Sequence, residues 1–561
     1  MGWLYAFPRR LGAAALAAVT IGTAVAAVPA TPALAVGPAD HVLYWNDVLL
    51  RTFRQVGGAP GPLARAGAMV HGAIYDAANS ALCASGAARC IGQAYRVKVA
   101  PTAGVTPDLA TAIDYAAYDA LRNIYPAINF TADLTAAQEG IANSTARTDG
   151  QRMGSASAQA MITFRVNDGS PDNSTYADGT VPGQWRRTGS GEPATPSWGL
   201  LRPFAMTSTT QFRPGLPAGY SSYATLLASQ AYANQVNEVK ALGAYNSTTR
   251  TADQTQLAWF WANDLDGTYK PPGQLFAHTR IVSGAAKLTP AGNARLFALV
   301  GVAMADAAVV AWDAKYRTDV DLWRPESAIR LAGTDSRADT IADPNWKPLS
   351  ADRNNVNFSP PFPAYTSGHA SFAAAWAGAL KGFFGTDTFR FVGTTEDPHA
   401  SGVQRLFTGF TSAATENARS RIYLGVHYQF DADAGMSSGA SLASYVSGNF
   451  FRPSVPTYTF DGFYDGQVYV GSSYPDAVAG GSLNLAFRLV ANGTPVTDPG
   501  AVVGVSWNGH PGASSGAVSV SGDRFQITAL PGKACGPGGQ TLSVLLRDGS
   551  SRNLRVACTT V

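Results

Sequence analysis

The chain has 561 residues, 46% of them hydrophobic and 14% charged, enough for a large core spread over two to four domains. Lysine and arginine total 41 against 38 acidic residues, and the N-terminal leader holds two of the basic ones and no acidic one, which leaves 39 against 38. A chain so close to neutrality lacks the basic field that nucleic acid or an acidic membrane surface selects.

Residues 1–35 carry Arg9 and Arg10, an apolar Ala/Val/Leu run and Ala33-Leu34-Ala35, the pattern of a secretory signal cleaved before Val36. The arginine pair points to twin-arginine export, and the expected destination is extracellular. Four cysteines in an exported chain suggest disulfides, and they fall as two close pairs, Cys83 with Cys90 and Cys535 with Cys558. No CxxC or HxxxH spacing supports a structural zinc site.

From about 40 to 165 apolar residues recur at intervals of three and four, in VLYWNDVLLRTF, PLARAGAMVHGAIYDAANSAL and DLATAIDYAAYDALRNI, and predict helices. Residues 167–200 are rich in Gly, Pro, Ser and Asp around Trp185 and Trp198, and read as a long ordered loop. Helical periodicity resumes near 220 in TLLASQAYANQVNEVKAL, TADQTQLAWFWAND and ARLFALVGVAMADAAVVAWDAKY. The last has almost no polar face and belongs at the centre of a bundle. No apolar run outside the leader reads as a membrane span.

In NFSPPFPAYTSGHASFAAAWAGAL, prolines 360, 361 and 363 keep the approach extended, so a helix can begin only at Ser367. Ser367 is its N-cap, Gly368 lets a ligand approach the backbone, and His369 falls in the first turn, an anion-binding position. Farther on, Gly425 breaks ATENARSRIYLGVHYQFDADAG so that Arg421 ends one helix and His427 opens the next, with Asp431 four residues beyond. RPSVP near 453 reads as a linker. Beyond it SLNLAFRLV alternates, with Leu483, Leu485, Phe487 and Leu489 on one side, and TLSVLLRDG with NLRVACT predicts a hairpin through Asp548-Gly549. The expected architecture is a mainly α-helical domain over 36–452 and a small β-sandwich over 453–561.

Lys315, Arg324, Ser367, Gly368, His369, Arg421 and His427 come from three distant segments and include no carboxylate. Cations, a hydroxyl and a backbone N–H together suit a tetrahedral oxyanion of high charge, with one histidine on its central atom.

Here the sequence resembles the vanadium-dependent haloperoxidases, within the superfamily of type-two phosphatidic acid phosphatases and bacterial acid phosphatases. The likeness rests on Lys315 with Arg324-Pro325, Thr366-Ser367-Gly368-His369, and Ser420-Arg421 with His427, and extends from VLYWNDVLL through FWANDLDGTYKPPG to about residue 450. It implies a helical bundle, and vanadate as cofactor. His427 would ligate vanadium, and Lys315, Arg324, Ser367, Gly368 and Arg421 would hold the oxygens. His369 would be the acid–base group, Lys315 would polarise bound peroxide, and Asp264 would pair with Arg421. Hydrogen peroxide, halide and a small organic molecule would be the substrates, and a homodimer is expected. Trp312 and Phe362 are candidate walls for the halide, bromide or chloride; Phe362 stands where brominating algal members tend to carry histidine. The family spaces its lysine and arginine by seven positions and this chain by nine, so Arg317 stands as the alternative to Lys315, which Trp312 three residues ahead favours. Thr366 replaces the usual proline.

Two other functions stand as alternatives, one on the same residues and one on the C-terminal sandwich. Phosphate shares the geometry of vanadate, so His427, oriented by Asp431, would form a phosphohistidine in an acid phosphatase. Alternatively the C-terminal sandwich, which resembles small PxKF-type extracellular domains in GDRFQITAL and TLSVLLRDGSSRNLRV, would make a non-catalytic surface-binding protein.

Overall fold

A computed structural model of the protein describes residues 37–453 and, within 458–559, all but 467, 472, 479–481, 492–493, 508–509, 512–517, 530–538 and 547–550. The expected leader, Cys535 and the Asp548-Gly549 turn therefore lie outside the described residues. Helices run as α1 (His41–Val56), α2 (Pro60–Ala84), α3 (Leu109–Ile124), α4 (Thr131–Ala137), α5 (Thr145–Arg165), α6 (Tyr223–Leu227), α7 (Gln230–Leu242), α8 (Ala252–Phe260), α9 (Lys270–Ala286), α10 (Pro290–Tyr316), α11 (Pro325–Arg330) and α12 (Gly368–Phe384). Then come β1 (Thr388–Thr394), β2 (Gln404–Gly409), α13 (Phe410–Tyr423) and α14 (Gln429–Asn449).

The helix starts follow local chemistry. Asp40 caps α1 by accepting from the N–H groups of Val42 and Leu43, Asp108 caps α3 and Ser144 caps α5. Thr289 caps α10 just ahead of Pro290, whose missing N–H costs nothing at that position. α10 is buried on nearly every face and packs against α2, α12 and α14. By length and composition it is apolar enough to cross a membrane, contrary to the sequence expectation, but 94% of its apolar window is buried inside the protein. It is the core helix of the bundle.

α14 lies along α12 at unusually close range. A Cβ on Gly435 would stand 2.8 Å from the Ser367 carbonyl oxygen, and one on Gly439 2.5 Å from that of Ser371. Those two glycines let the start of α14 meet the start of α12, where the candidate residues gather.

Three features differ from the sequence reading. The predicted helix over 225–242 is two helices, because Ser229 bonds the Leu226 carbonyl and caps α7. The antiparallel hairpin β1–β2 between α12 and α13 was not expected, nor was α9. The loop after α5 is held by Trp185 and Trp198, both about 1% exposed, and meets the C-terminal end of α10, where Trp312 Nε1 donates to the Ala194 carbonyl at 3.0 Å.

Beyond 458 the strands are β3 (Thr459–Asp465), β4 (Val468–Gly471), β5 (Ser473–Val478), β6 (Leu483–Ala491), β7 (Thr494–Pro495), β8 (Val502–Trp507), β9 (His510–Pro511), β10 (Ser519–Ser521), β11 (Arg524–Ala529), β12 (Gln540–Leu546) and β13 (Ser551–Thr559). One sheet has the order β10-β11-β6-β3-β4 with β7 beside β6, the other β5-β13-β12-β8-β9. Their inner residues, among them Phe487, Phe525, Val544 and Leu554, share one apolar core, as alternation in β6 predicts. Cys83 and Cys90 form a disulfide at the end of α2.

Candidate oxyanion site

The extended segment before α12 ends at Ser367, whose φ of −68° and ψ of 117° make it an N-cap. Its Oγ accepts from the Ala370 N–H at 3.4 Å, and its own N–H donates to the Asp431 carbonyl at 3.0 Å, which fastens α12 to α14. Trp312 closes over Gly368, its ring 3.4 Å from where a Cβ would be.

Between α13 and α14 the chain reverses at Gly425, where φ is +82° and a Cβ would strike the Gly243 carbonyl oxygen at 2.4 Å. That reversal turns Arg421 and His427 toward one another. His427 Nδ1 donates to Asp431 Oδ2 at 2.9 Å, and Asp431 also accepts from the Tyr428 N–H at 3.0 Å. His427 Nε2 accepts from Arg324 Nη1 at 3.0 Å. The bonds thus assign the Nδ1–H tautomer, with the Nε2 lone pair facing the cations.

Arg324 follows an extended stretch and is fully buried. Nε donates to the Phe362 carbonyl at 2.7 Å and Nη1 also reaches that of Val426 at 2.7 Å, while Nη2 has no partner among the described residues. Lys315, in the last turn of α10, is likewise fully buried. Its ammonium donates to the carbonyls of Pro363 at 2.7 Å, Ala364 at 3.1 Å and Thr366. Three bonds exhaust an ammonium's donors. Lys315 therefore holds the α12 approach in place and contributes charge, and it would have to release a carbonyl to bond an anion directly. Arg317, the alternative, is exposed and lines a different cavity, together with Tyr365.

Asp264 Oδ2 accepts from Arg421 Nη2 at 2.7 Å. Arg421 is 1% exposed, and its Nε and Nη1 are unpartnered among the described residues. His369 Nε2 lies 3.1 Å from the Ala262 carbonyl and 4.0 Å from Asp264 Oδ1. Asp264, Gly368, His369, Arg421 and His427 line one cavity of about 210 Å³, walled by Pro60, Pro271, Phe358, the 360–362 segment and Trp312. Trp312 and Phe362 pack with ring centroids 5.2 Å apart, and the Lys315 ammonium sits 5.0 Å from the Phe362 ring.

The field in this cluster shapes each titration. Burial, then Arg324, Lys315 and Arg421, hold the His427 imidazole well below its ordinary range. Burial and Arg421 bring His369 down to about 4, against the pull of Asp264. Burial pushes Asp431 up to about 7 and brings Arg324 down to about 9. Burial also drives Lys315 well below its usual range, with Arg324 adding to the effect and Asp431 opposing it. Burial would raise Asp264, but Arg421 and His369 outweigh it and keep its carboxyl low. Both histidines are neutral near pH 7 in this arrangement.

Buried guanidinium nitrogens without acceptors are costly. Arg324 Nη2 with Arg421 Nε and Nη1 make such a set, and a ligand rich in acceptors and lacking donors satisfies it. A compact multivalent oxyanion has that chemistry, and the neutral Nε2 of His427 adds a lone pair for its central atom.

Sequence reasoning brought these residues together from three motifs and Asp264 from a fourth. It passed over Lys270, quoted within FWANDLDGTYKPPG without a role, which lines the same cavity. The signal available was its position six residues from Asp264, ahead of two prolines.

Comparison with known proteins gives a consistent result. Residues 295–453 match the VCPO second helical-bundle domain. A vanadium chloroperoxidase of Curvularia inaequalis is 32% identical over 259 residues, 36% of this chain and 41% of that protein, so the match spans less than half of the relative. Among solved structures, a bacterial vanadium-dependent iodoperoxidase covers 73% of this chain and 95% of its own, with a TM-score of 0.59 and 24% identity. An apo-type bacterial vanadium-dependent chloroperoxidase covers 71% and 96%, with a TM-score of 0.51 and 16% identity. These structures share the fold.

Proposed function

We propose that this chain, which has the fold of the vanadium haloperoxidases and carries their second helical-bundle domain, is a vanadium-dependent haloperoxidase. It would oxidise halide, bromide or chloride, with hydrogen peroxide, to give hypohalous acid or to halogenate a small organic molecule. The observation that carries this reading is the set of unpartnered nitrogens on Arg324 and Arg421 beside the unprotonated Nε2 of His427, whose lone pair meets only Arg324 Nη1.

Bound vanadate would supply a Lewis-acidic centre at which peroxide becomes electrophilic toward halide. The residues suited to hold it are His427 through Nε2, Arg324 and Arg421 through their spare N–H groups, and Ser367 and Gly368 at the positive end of α12. Asp431 accepts the Nδ1 proton of His427 and so keeps Nε2 unprotonated. Lys315 lends positive charge through the wall it braces. His369 is neutral in the free site because burial, and then Arg421, disfavour its charge; an anion beside it favours the imidazolium, so its protonation would be tied to occupancy. Asp264 aims Arg421 and helps stabilise that imidazolium. Trp312 and Phe362 would give the halide an apolar, polarisable wall. Export would follow from the leader at residues 1–35.

The test is bromination of a phenol dye by the purified protein with bromide and peroxide, with and without orthovanadate. Halogenation that depends on orthovanadate and is lost in His427→Ala is the expected result; none under any condition would sink the proposal. The Asp431 to His427 bond favours one second reading, since such a pair orients a nucleophilic imidazole. Phosphate release by the vanadate-free protein, without halogenation, would select the phosphatase.

A further inference from the structure

Asp264 reaches Arg421 from a turn that this sequence has no easy way to hold. On either side of it two non-glycine residues adopt left-handed conformations, Asn263 after α8 at φ 45° and Lys270, the first residue of α9, at φ 62°. Asparagine tolerates that region, whereas a long side chain is strained there. Asn263 is anchored by its N–H to Asp397 Oδ2 at 3.1 Å and by its amide to the Phe260 carbonyl at 3.2 Å.

Lys270 is anchored through its side chain. The residue is 7% exposed, and its ammonium donates to the Asp264 carbonyl at 2.6 Å and pairs with Asp266 Oδ1 at 2.8 Å. Asp266 Oδ1 also accepts from the Gly58 N–H at 3.2 Å, which ties the arrangement to the turn between α1 and α2. Gly58 and Lys270 both line the cavity that contains Asp264 and Arg421. Glycine at 270 would relieve the backbone, so the strained conformation is held by the side-chain bonds of Lys270 to Asp264 and Asp266.

We propose that Lys270 is a positioning residue of the oxyanion site. By gripping the Asp264 carbonyl it sets the turn so that the Asp264 carboxylate aims Arg421, whose free Nε and Nη1 are the groups offered to an anion. The inference rests on the oxyanion reading above. It assigns the chain's departure from an unstrained turn to ligand binding, with Asp266 as the counter-ion on the solvent side.

Isothermal titration of orthovanadate, run beside thermal melts, tests this in the parent protein, Lys270→Gly, Lys270→Arg and Asp266→Asn. Glycine accepts the left-handed conformation freely, which offsets part of the lost side-chain bonding, so Lys270→Gly should still fold cooperatively yet bind orthovanadate at least about tenfold more weakly. Arginine can donate to both partners and should bring affinity back to within about threefold. Affinity of Lys270→Gly within about twofold of the parent would overturn the proposal, a difference too small for a lost positioning contact. If Lys270→Gly does not fold, Asp266→Asn decides: that carboxylate is 76% exposed, so stability is expected to hold, with weaker binding supporting the clamp and unchanged binding overturning it. A parent that does not bind orthovanadate at all overturns the oxyanion reading itself and the clamp with it, and that outcome is read before any variant.

Discussion

The helical part and the C-terminal sandwich differ in what they bury beside apolar side chains. Among the described residues from 458 on, those buried include no Asp, Glu, Lys, Arg or His, and the sandwich core is Leu, Val, Ile, Phe, Ala, Trp, Tyr and Cys558. The helical part has a far larger apolar core, yet at the meeting of α10, α12 and α14 it buries Lys315, Arg324, Arg421, His427 and Asp431. Apolar burial scales with area and tolerates substitution, whereas each buried cation must find acceptors or leave a cost unrecovered. Only the second region carries three guanidinium nitrogens with unmet bonding capacity beside an imidazole lone pair. The contrast separates an apolar core from one that also carries buried cations with unmet hydrogen-bonding capacity.

The sharpest break of that contrast is His427→Ala, which should reduce vanadate-dependent halogenation below detection while the protein still melts cooperatively; residual halogenation would show that the lone pair is dispensable. His369→Ala should lower kcat by about a hundredfold to ten-thousandfold, the range of a general acid–base group, with orthovanadate still bound. In the sandwich, Phe487→Ala should cost about 3–5 kcal/mol in denaturant unfolding and leave orthovanadate affinity unchanged. A fall in affinity would join the two regions energetically.

Acid sharpens the comparison in a further way. His71 and His278, buried in the helical core outside the site, are held by burial down to about 3 and about 4. Their folded values lie below the ordinary 6.5, so the stability they contribute is full above 6.5 and is lost as pH falls toward those values. For His278 the gap between 6.5 and about 4 amounts to about 3 kcal/mol at pH 4. Urea unfolding at pH 7 and pH 4.5 should show that loss in the parent and a shallower one in His71→Leu; equal slopes would contradict it. The smallest effect belongs to Arg317→Ala, expected within about 0.5 kcal/mol in stability and in orthovanadate binding, since the residue is exposed and lines a different cavity.

Much of the site was legible because its parts are local. Proline spacing before Ser367, a cap followed by His369, and a glycine between Arg421 and His427 each act within one turn of chain. α10 was recognisable as the bundle centre because a helix without a polar face has few other places to go, and β6 because alternation can serve only a sheet with one buried side. The hairpin β1–β2 lay hidden in a polar stretch between stronger helical signals, and the break at Ser229 came from one side-chain bond that competes with an otherwise continuous helical pattern.

What the sequence by itself determined, then, was the inventory: which residues could bind an oxyanion, and which helices would carry them. Tertiary structure alone decided how their donors are spent. Lys315 satisfies three carbonyls of a segment some fifty residues away, Arg324 shares one nitrogen between His427 and the Val426 carbonyl, and Lys270 holds the turn that aims Asp264. Hydrogen-bond capacity is finite and filled by whichever acceptors packing brings near, so residue type tells what a group can do, and only its neighbours tell what it has left to offer.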